Sequence, residues 1–446
     1  MGYTMRERTL PLDDSWDVVV VGGGPSGCTA AAAAAREDAR TLLIETTGCL
    51  GGMGTSGLVP AWCPFSDGEK MIYRGLAEKV LLRSNAGTYG AEPDALNWVP
   101  IDPENLKVVY DDLVSGFGVT VLFNTQAAGV EMTAPGEAGV LLLSSKQGLT
   151  AVKARVYVDC SGDGDVAAWA GAGFVQGDGT GELQPATHCF AFGNVDLQAR
   201  KDMPRLHGAN PQSPIHDIIA SGKYPLIPDA HICNNPVGPG SVGFNAGHLW
   251  SVDNTDPVSV SRALPQGRKM ALEFLKALSE SQPRVFGNAY VSQTGALLGI
   301  RETRRIIGDY CLTIDDFKGL KSFEDEIGRN CYFIDVHHKQ SDVGTGNEGA
   351  KKEHIRLNKG ESHGIPYRCL TPKGLTNILV AGRCVSSDRA VNGSVRVMPV
   401  CLVTGEAAGI AAALAAKSEA ADVHAIDTAL LRKRLQAEGA YLPPVT

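Results

Sequence analysis

Three glycines, Gly22, Gly24 and Gly27, form a G-x-G-x-x-G pattern in "VVVVGGGPSG", directly after four valines. This spacing suits contact with a diphosphate. The first glycine allows a tight turn, the second lets the backbone approach the phosphates, and the third lets a helix pack closely on a strand. Glu45 ends the next apolar run, where a carboxylate can accept both hydroxyls of an adenosine ribose. The residues predict a dinucleotide site; the alternative is a structural turn with a surface glutamate.

A second glycine-rich segment favours FAD over NAD as the dinucleotide. "GCLGGMGTSG", residues 48–57, places five more glycines just past the ribose acid. The segment resembles the loop that two-dinucleotide-binding flavoproteins bring against the FAD phosphates and ribityl chain. We therefore predict that Gly51, Gly52 and Met53 contact the cofactor. A surface loop with no such contact is the alternative.

A third segment, "VYVDCSGDGDVAAWAGA" at residues 156–172, runs from a strand through an acidic glycine turn into a helix. It resembles the "DATGD" signature of the succinate and fumarate oxidoreductases and of glutathione-reductase-like flavoproteins, where the turn lies beside the adenine and phosphate end of FAD. The resemblance implies cofactor contacts for Asp159, Gly162 and Asp163. Asp163 is expected to cap the following helix rather than to do chemistry.

The segment at residues 377–415 predicts a buried strand, a polar loop and a helix of small residues that packs against the first helix. The N-terminus of such a helix can direct its dipole at the flavin N1 and C2 carbonyl, where negative charge collects when FAD accepts a hydride. The candidate cofactor residues here are Gly382, Arg383, Arg396, Pro399, Val400 and Cys401.

Histidine suits the proton step that accompanies hydride transfer, because its unperturbed pKa is about 6.5. His337 and His338 follow "YFIDV", a predicted strand, and precede a glycine-rich loop. Adjacent strand residues point to opposite faces, so at most one of them is expected to reach the flavin. His337 is the preferred base, and the alternative is a structural histidine bonded through Asp335. His363 is a weaker candidate.

Arginine is concentrated in "GIRETRRI", residues 299–306. On a helix, Arg301 and Arg305 would share a face and Glu302 could pair with a neighbouring turn. One interpretation is a salt-bridge network that joins domains. The other assigns Arg301 to the flavin pyrimidine ring or to an anionic substrate group, because a guanidinium binds a carboxylate at two points.

Composition excludes several other functions. The 446 residues carry a formal charge of −8 with no basic cluster, so nucleic acid and anionic membranes are poor candidates as partners. The eleven cysteines include no CxxC pair, which indicates a reduced, cytoplasmic setting. The ten histidines are dispersed, which predicts no metal site. G-x-S-x-G is absent, so a hydrolase has no support.

The order of predicted elements indicates how these residues are positioned. A strand at 18–21, a helix from Pro25 to Glu37 and a strand at 41–44 form a β-α-β unit, with Pro25 and Ser26 in the helix turn that faces the phosphates. A helix that Asp102 caps and strands at 120–123 and 152–159 extend this domain. A helix near 262–281 belongs to a more polar region, and one near 427–438 ends the chain. We predict a first part of a cofactor domain at 14–172, an inserted domain at 173–365 and the second part at 366–446.

Together these segments resemble the FAD-dependent oxidoreductase family within the glutathione-reductase-like two-dinucleotide-binding flavoproteins, the family once labelled xanthan lyases. The motifs "GGGPSG", "DCSGDGDVAAWAGA", "GIRETRRIIGDYCLT", "YFIDVHH" and "GSVRVMPVCLVTGEAAGIAAA" occur in that family's order between about residues 15 and 416. The family's usual "DATGDGD" is "DCSGDGD" here, and His338 is an unexpected second histidine. The resemblance implies non-covalent FAD and leaves the substrate open.

The expected fold is α/β, a discontinuous Rossmann-like FAD-binding domain with an inserted α+β substrate domain. The expected function is an oxidoreductase that transfers a hydride between FAD and a small organic substrate of the CH–OH, CH–NH or activated C=C type. Flavoproteins of the thiazole-biosynthesis or geranylgeranyl-reductase type are one alternative. A flavin-binding subunit that relays electrons or binds a partner is another. We expect a small-molecule substrate and no contact with nucleic acid or membrane. The sequence also permits a homo-oligomer.

Overall fold

The fold is described from a computed structural model, which covers residues 7–92, 94–337, 340 and 355–444. The strands are β1 (Leu12–Val21), β2 (Thr41–Ile44), β3 (Thr120–Leu122), β4 (Gln126–Ala134), β5 (Glu137–Ser145), β6 (Gly148–Asp159), β7 (Phe174–Gln176), β8 (Phe190–Gly193), β9 (Ile232–Gly238), β10 (Ser241–Ala246), β11 (Tyr290–Thr294), β12 (Arg304–Ile306), β13 (Glu326–Asn330), β14 (His363–Pro366) and β15 (Ile378–Val380).

The α-helices are α1 (Pro25–Arg36), α2 (Leu76–Gly87), α3 (Pro103–Gly116), α4 (Asp165–Trp169), α5 (Leu197–Lys201), α6 (Pro214–Ala220), α7 (Pro257–Ser281), α8 (Pro283–Phe286), α9 (Ile314–Lys318), α10 (Arg389–Val395), α11 (Met398–Lys417) and α12 (Thr428–Ala437). Short 3-10 turns lie at Gly52–Gly54, Tyr367–Cys369 and Gly382–Cys384.

A parallel sheet forms the centre of the cofactor domain, as the β-α-β pattern predicts. Its strand order is β3-β2-β1-β6-β5-β4, and β15 also pairs with β6. Strands β1, β2, β3, β6 and β15 pair in parallel, whereas β4 and β5 add antiparallel strands that the sequence analysis did not predict. The valines of β1 and all of β2 are buried, which explains their unbroken apolar runs. The chain's late strand therefore completes its first sheet.

A second hydrophobic core lies in the middle of the chain, between Ala186 and Ile300. Its antiparallel sheet has the order β11-β8-β10-β9, and α7 packs against it. Phe190 and Phe244 stack within this core, with ring centroids 5.1 Å apart. Buried residues from Leu312 to Ile365 belong instead to the core of the first sheet. The domain division at residues 172 and 365 stays a prediction, because these cores divide the chain differently.

Helices α1 and α11 touch through their backbones. A Cβ on Gly405 would lie 2.1 Å from the Ser26 carbonyl oxygen, and a Cβ on Gly409 would lie 2.1 Å from the Ala30 carbonyl oxygen. The prediction that small residues allow this packing is confirmed. Helix α11 is also the one helix of the described residues long and apolar enough to cross a membrane, but 94% of its apolar window is buried within the protein.

One of two local predictions, the helix cap at Asp102, is confirmed, and the other, a strand at "YFIDV", is wrong. Asp102 caps α3 by accepting hydrogen bonds from the N–H groups of Glu104 and Asn105, as predicted. The strand predicted for "YFIDV" is wrong, because residues 332–336 form no strand and β13 ends before them, at Asn330. The apolar alternation there reflects burial of Tyr332 and Ile334 in an irregular segment.

Replacing Gly405 by alanine should destabilise the protein, because the added methyl group would overlap the α1 backbone. Overpacking of this kind costs about 1–3 kcal/mol. Thermal unfolding followed by calorimetry should give a lower apparent Tm. Gly116→Ala is the control: its Cβ would meet no atom within 4 Å, and its melting temperature should match or exceed that of the wild type. Equal melting temperatures for both variants would contradict the tight packing.

Candidate functional site

The first glycine loop has a different constraint at each glycine. Gly22 has φ +96°, and a Cβ there would lie 2.5 Å from the Cys160 carbonyl oxygen. A Cβ on Gly27 would lie 1.7 Å from the Gly22 carbonyl oxygen, so α1 and the loop leave no space for a side chain. By contrast, a Cβ on Gly24 would meet nothing within 4 Å. Gly24 therefore faces open space at the start of α1, where a diphosphate would approach the backbone.

The Glu45 carboxylate lies directly against this loop. It is buried and accepts hydrogen bonds from the N–H groups of Gly23, at 2.7 Å, and Thr47, at 2.6 Å. These contacts fix the carboxylate at the end of β2. The acid predicted to bind a ribose therefore lies at the turn predicted to bind the phosphates.

The second glycine-rich segment packs onto the first loop. Gly51 and Gly52 both have positive φ, +101° and +52°, and the Gly51 N–H donates to the Gly23 carbonyl at 2.8 Å. A Cβ on Gly52 would lie 3.0 Å from the Gly24 Cα. Met53 continues the 3-10 turn. The two glycine loops thus form the walls of one cleft beside Gly24.

Asp163 joins the acidic turn to the middle of the chain. Its carboxylate accepts hydrogen bonds from Arg383 Nη2 at 2.6 Å, Asn254 Nδ2 at 2.5 Å and the Thr303 hydroxyl. The prediction that Asp163 caps the next helix is wrong, because α4 has Gly164 at its N-cap and no side-chain capping bond. Gly162 has φ +83° and packs against the Arg383 guanidinium.

Asp159, the other acid of this turn, has a local role. It is fully buried and accepts hydrogen bonds from the Ser161 N–H and hydroxyl and from the Ala167 N–H. Burial raises the pKa of its carboxyl, and these hydrogen bonds oppose the rise. Asp159 thus shapes the loop that carries Asp163.

Helix α11 begins beside the glycine loops. It has Pro399 in its first turn and no side-chain cap at Val397, and Val400 is fully buried. Gly382, with φ +84°, packs against the Ser26 hydroxyl, and Met398 of α11 lies near Gly54 of the second loop. Backbone N–H groups at such a helix start, if not capped by a side chain, favour an electron-rich ligand atom.

The thiol of Cys401, also in the first turn of α11, is not poised for reaction. It donates a weak hydrogen bond to the Arg396 carbonyl at 3.2 Å. Burial raises the pKa of this thiol to about 12, so it stays protonated near neutrality. The buried thiols of Cys28 and Cys160, beside the first loop, have raised pKa values for the same reason.

Three histidines from distant parts of the chain meet at the junction of the two cores. His231 precedes β9, His248 follows β10, and His337 follows the irregular segment after β13. His248 Nε2 lies 2.9 Å from His337 Nδ1, and His248 Nδ1 lies 2.5 Å from an Asp229 carboxylate oxygen. The His231 ring stacks on His248, with centroids 4.3 Å apart. His337 is thus part of a buried, hydrogen-bonded group.

Charged groups surround these rings. Arg301 donates from Nη2 to His231 Nε2 at 3.1 Å and from Nη1 to the Pro185 carbonyl at 2.6 Å. Asp335 lies 3.5 Å from His337 Nε2 and 3.7 Å from the Arg396 guanidinium. Arg396, which also donates to the Asp335 carbonyl, immediately precedes the start of α11. The histidine group therefore lies next to the predicted flavin end of the cleft.

Burial controls protonation in this group. It lowers the pKa of His231 well below its ordinary value, and the neighbouring His248 and Arg301 lower it further. Burial, with the nearby Arg396, also lowers the pKa of Arg301 to about 10. His231 is therefore neutral near pH 7, whereas Arg301 keeps its charge.

The absence of a metal site stays a prediction, although the ligand atoms of His231, His248 and His337 lie within 4.8 Å of one another. An imidazole binds a metal in its own plane, and the rings of His231 and His248 are parallel to within 7°. One ion cannot lie in both planes. The Arg301 guanidinium also occupies the His231 lone pair. The arrangement suits proton exchange between neighbours better than metal binding.

The segment "RETRR" does not form the helix that was considered for it, since residues 301–303 are irregular and β12 follows. Glu302 is the centre of an ion network there. It accepts from Arg305, and from Arg389 Nε at 3.2 Å. The ion network of Glu302 and Arg305 agrees with the salt-bridge interpretation, whereas contact of Arg301 with the flavin or an anionic substrate group stays a prediction.

His363 and His338 are the two remaining histidine candidates. His363 is fully buried in β14, contacts Asn330 at 2.9 Å, and has a pKa that burial lowers to about 4. It is a structural histidine of the first core. His338 lies outside the described residues.

The sequence analysis missed Asp229, His231 and His248. A signal for the two histidines was present in "HICNNPVGPGSVGFNAGH", where "GPGS" predicts a turn between two strand-like runs. In the resulting hairpin, Ile232 pairs with Ala246, which brings the flanking histidines together. Their contact with His337 depends on tertiary packing and has no local signal.

The residues of the cleft fit an FAD molecule. Gly24 leaves a space that a side chain would fill, Glu45 lies at its edge, and the start of α11 is without a side-chain cap. Within the described residues, the buried Arg383 Nε and Arg396 Nε have no hydrogen-bond partner. Such donors match the phosphate and carbonyl oxygens of FAD or an anionic group of a substrate.

Comparison with known proteins agrees with this assignment. A family model described as FAD dependent oxidoreductase matches residues 17–435. No curated protein matches. Among solved structures, a geranylgeranyl bacteriochlorophyll reductase-like protein from Thermoplasma acidophilum is 16% identical, with 96% of this chain and 83% of that one covered and a TM-score of 0.48.

Two other solved structures match at lower sequence identity. CabE, an aromatic hydroxylase from angucycline biosynthesis, is 11% identical over 95% of this chain and 68% of its own, with a TM-score of 0.47. The myxobacterial chondrochloren halogenase CndH is 13% identical over 96% and 78%, with a TM-score of 0.42.

Replacing Asp163 by asparagine should destabilise the junction between the two cores. The change leaves the buried Arg383 without its counter-charge, which costs up to about 3–5 kcal/mol. Asp165→Asn is the matched control, since Asp165 pairs with Arg304 but is about one-third exposed. Thermal unfolding should show a clearly lower apparent Tm for Asp163→Asn alone. Equal effects of the two variants would refute the role of Asp163 as a junction residue.

Proposed function

The chain belongs to the FAD-dependent oxidoreductase family, and we propose that it transfers a hydride between bound FAD and a small organic substrate. The bond that reacts would be a C–H bond beside oxygen or nitrogen, or an activated C=C bond in the reverse sense. The observation that carries this proposal is the buried histidine group containing His337, next to the start of α11. We infer that this group exchanges protons beside the expected flavin position.

FAD is the cofactor, and when bound it supplies the hydride acceptor. We propose that Gly22, Gly24, Gly27, Pro25, Ser26, Gly51, Gly52 and Met53 bind its phosphates. Glu45 would hold the ribose. The acidic turn with Asp159, Gly162 and Asp163 would support the adenine side. Gly382, Arg383, Arg396, Pro399, Val400 and Cys401 would line the flavin end.

The chain's own residues would orient the substrate and move a proton. His337 is proposed to accept the proton from the substrate O–H or N–H, because an imidazole with one nitrogen held in a hydrogen bond can accept a proton on the other. Arg301 would hold an electron-rich group of the substrate, since its charge persists near pH 7. A subunit that relays electrons without its own substrate is the alternative. The proximity of Arg301 and His337 in one buried group does not support this electron-relay alternative.

Gly24→Val should fold like the wild type but bind FAD more weakly. The added side chain enters open space in the protein, so its cost appears only when the diphosphate must occupy that space. We expect the Kd for FAD to rise about 10- to 100-fold, as measured by fluorescence titration of the flavin-free protein. Gly116→Val, remote from the cleft, should bind FAD normally. If Gly24→Val binds FAD normally, the diphosphate does not bind beside Gly24.

His337→Gln should retain the yellow colour and reduce its flavin slowly. An anaerobic panel of alcohols, sugars, hydroxy acids and amines, followed at the flavin visible band, would identify a reducing compound. With it, loss of the proton acceptor should slow reduction about 10²- to 10⁴-fold. His216→Gln, in α6 of the second core, should behave as wild type. Unchanged reduction would remove His337 from the mechanism, and a panel without any reductant would favour the electron-relay alternative.

A further inference from the structure

Asp229, His248 and His337 form a continuous chain of polar atoms. The Asp229 carboxylate is 2.5 Å from His248 Nδ1, and His248 Nε2 is 2.9 Å from His337 Nδ1. All three side chains are buried, and Asp229 also accepts from the His231 N–H at 2.9 Å. His337 Nε2, the ring nitrogen farthest from Asp229 in this row of hydrogen-bonded side chains, lies 3.5 Å from Asp335.

The order of donors and acceptors from Asp229 through His248 to His337 determines the tautomer of each histidine. A carboxylate only accepts hydrogen bonds, so His248 Nδ1 must carry the proton that points to Asp229. In the neutral His248 ring, Nε2 is then an acceptor, and His337 must donate to it from Nδ1. The neutral His337 ring therefore has no proton on Nε2. Asp229 thus determines, through His248, which nitrogen of His337 can accept a proton.

The surrounding charges favour the protonated product. When Nε2 accepts a proton, His337 becomes a cation with Asp335 at 3.5 Å. The Nδ1 proton can then shift toward His248 Nε2, which places positive charge nearer Asp229. Arg301 and Arg396 oppose this cation. The stacked His231 is neutral and adds no third positive charge. Two carboxylates, one at each end, thus offset two guanidiniums.

We propose that Asp229 and His248 are positioning residues that hold His337 in the tautomer with a proton-free Nε2, the atom that accepts the substrate proton. The proposal rests on the proposed function for the role of His337. It goes further in assigning two residues of the second core to the chemistry. The proton that leaves the substrate O–H or N–H forms the new N–H bond at Nε2, while the hydride leaves with its electron pair to the cofactor.

The tautomer is measurable without any substrate. We would label the FAD-loaded enzyme with ¹⁵N-histidine and assign the His337 signals by their loss in His337→Gln. At an alkaline pH where the His337 signals no longer change, long-range ¹H–¹⁵N spectra should show a protonated Nδ1 and an unprotonated Nε2. A proton on Nε2 with a bare Nδ1 would overturn the proposal whatever the variants do.

Asp229→Asn should reverse the tautomers. Because one Asp229 oxygen accepts from the His231 backbone N–H, the asparagine oxygen would stay there and its amide N–H would donate to His248 Nδ1. His248 would then donate from Nε2, and His337 would carry its proton on Nε2. The spectra should then show the two His337 nitrogens exchanged. Asp38→Asn is the control, because Asp38 is exposed with φ +63°, a conformation that asparagine tolerates. An unchanged His337 tautomer in Asp229→Asn would contradict the proposal.

Kinetics separates this inference from the proposed function. With a compound that reduces the wild-type flavin, Asp229→Asn should lower the reduction rate about 10²- to 10⁴-fold, as expected for a base with the wrong tautomer. Asp229→Glu keeps a carboxylate and should recover part of the rate. If His337→Gln is slow but Asp229→Asn is fast, only the positioning role fails. If flavin reduction in His337→Gln is as fast as in the wild type, His337 is not the base. The tautomer of His337 is then still decided by the ¹H–¹⁵N spectra.

Discussion

Close backbone contact at glycines is the constraint on which this structure depends. Gly27 lies against Gly22, and Gly405 lies against the carbonyl of Ser26, at distances that leave no space for a Cβ. These contacts bring α11, from the last fifth of the chain, onto α1 and the first loop. Two helix N-termini and two glycine loops therefore converge on one cleft. Larger side chains at these positions would separate the elements, and the cleft would lose its shape.

Buried charges hold the second core to this cleft. Asp163, from the turn after β6, binds Arg383 from the late strand region and also Asn254 and Thr303 from the middle of the chain. Glu302 similarly accepts from Arg305 and Arg389. A buried charge is tolerated only when it is paired and hydrogen-bonded. Displacement of the second core would break the hydrogen bonds from Asn254 to Asp163 and from Arg383 to the Ile300 carbonyl, so the Asp163–Arg383 pair helps to fix the position of the second core.

The sequence predicted those parts of the fold that depend on local pattern. β2 was predicted with its observed bounds and α1 to within one residue, because apolar runs, glycines and Pro25 act over a few residues. The cap by Asp102 was likewise local. At residues 301–305 the Glu302–Arg305 ion pair is local, whereas other contacts of these side chains reach the backbone of Gln184, Pro185 and Gly177, more than a hundred residues away. Partners at that separation leave no periodic signal.

The candidate site likewise combines residues that a local pattern predicts with residues that meet only through tertiary packing. The glycines and Glu45 were predicted from the fixed spacing that a phosphate-binding turn needs, whereas the residues of a hydrogen-bonded histidine group need only meet in space. His231 and His248 meet because the β9–β10 hairpin closes between them, and His337 joins them because the Asp335 carbonyl is bonded to Arg396. The proposed cofactor half of the site is thus encoded locally, and the proposed substrate half arises from the packing of two cores. If these assignments hold, substrate specificity can change through the second core while the glycine loops stay the same.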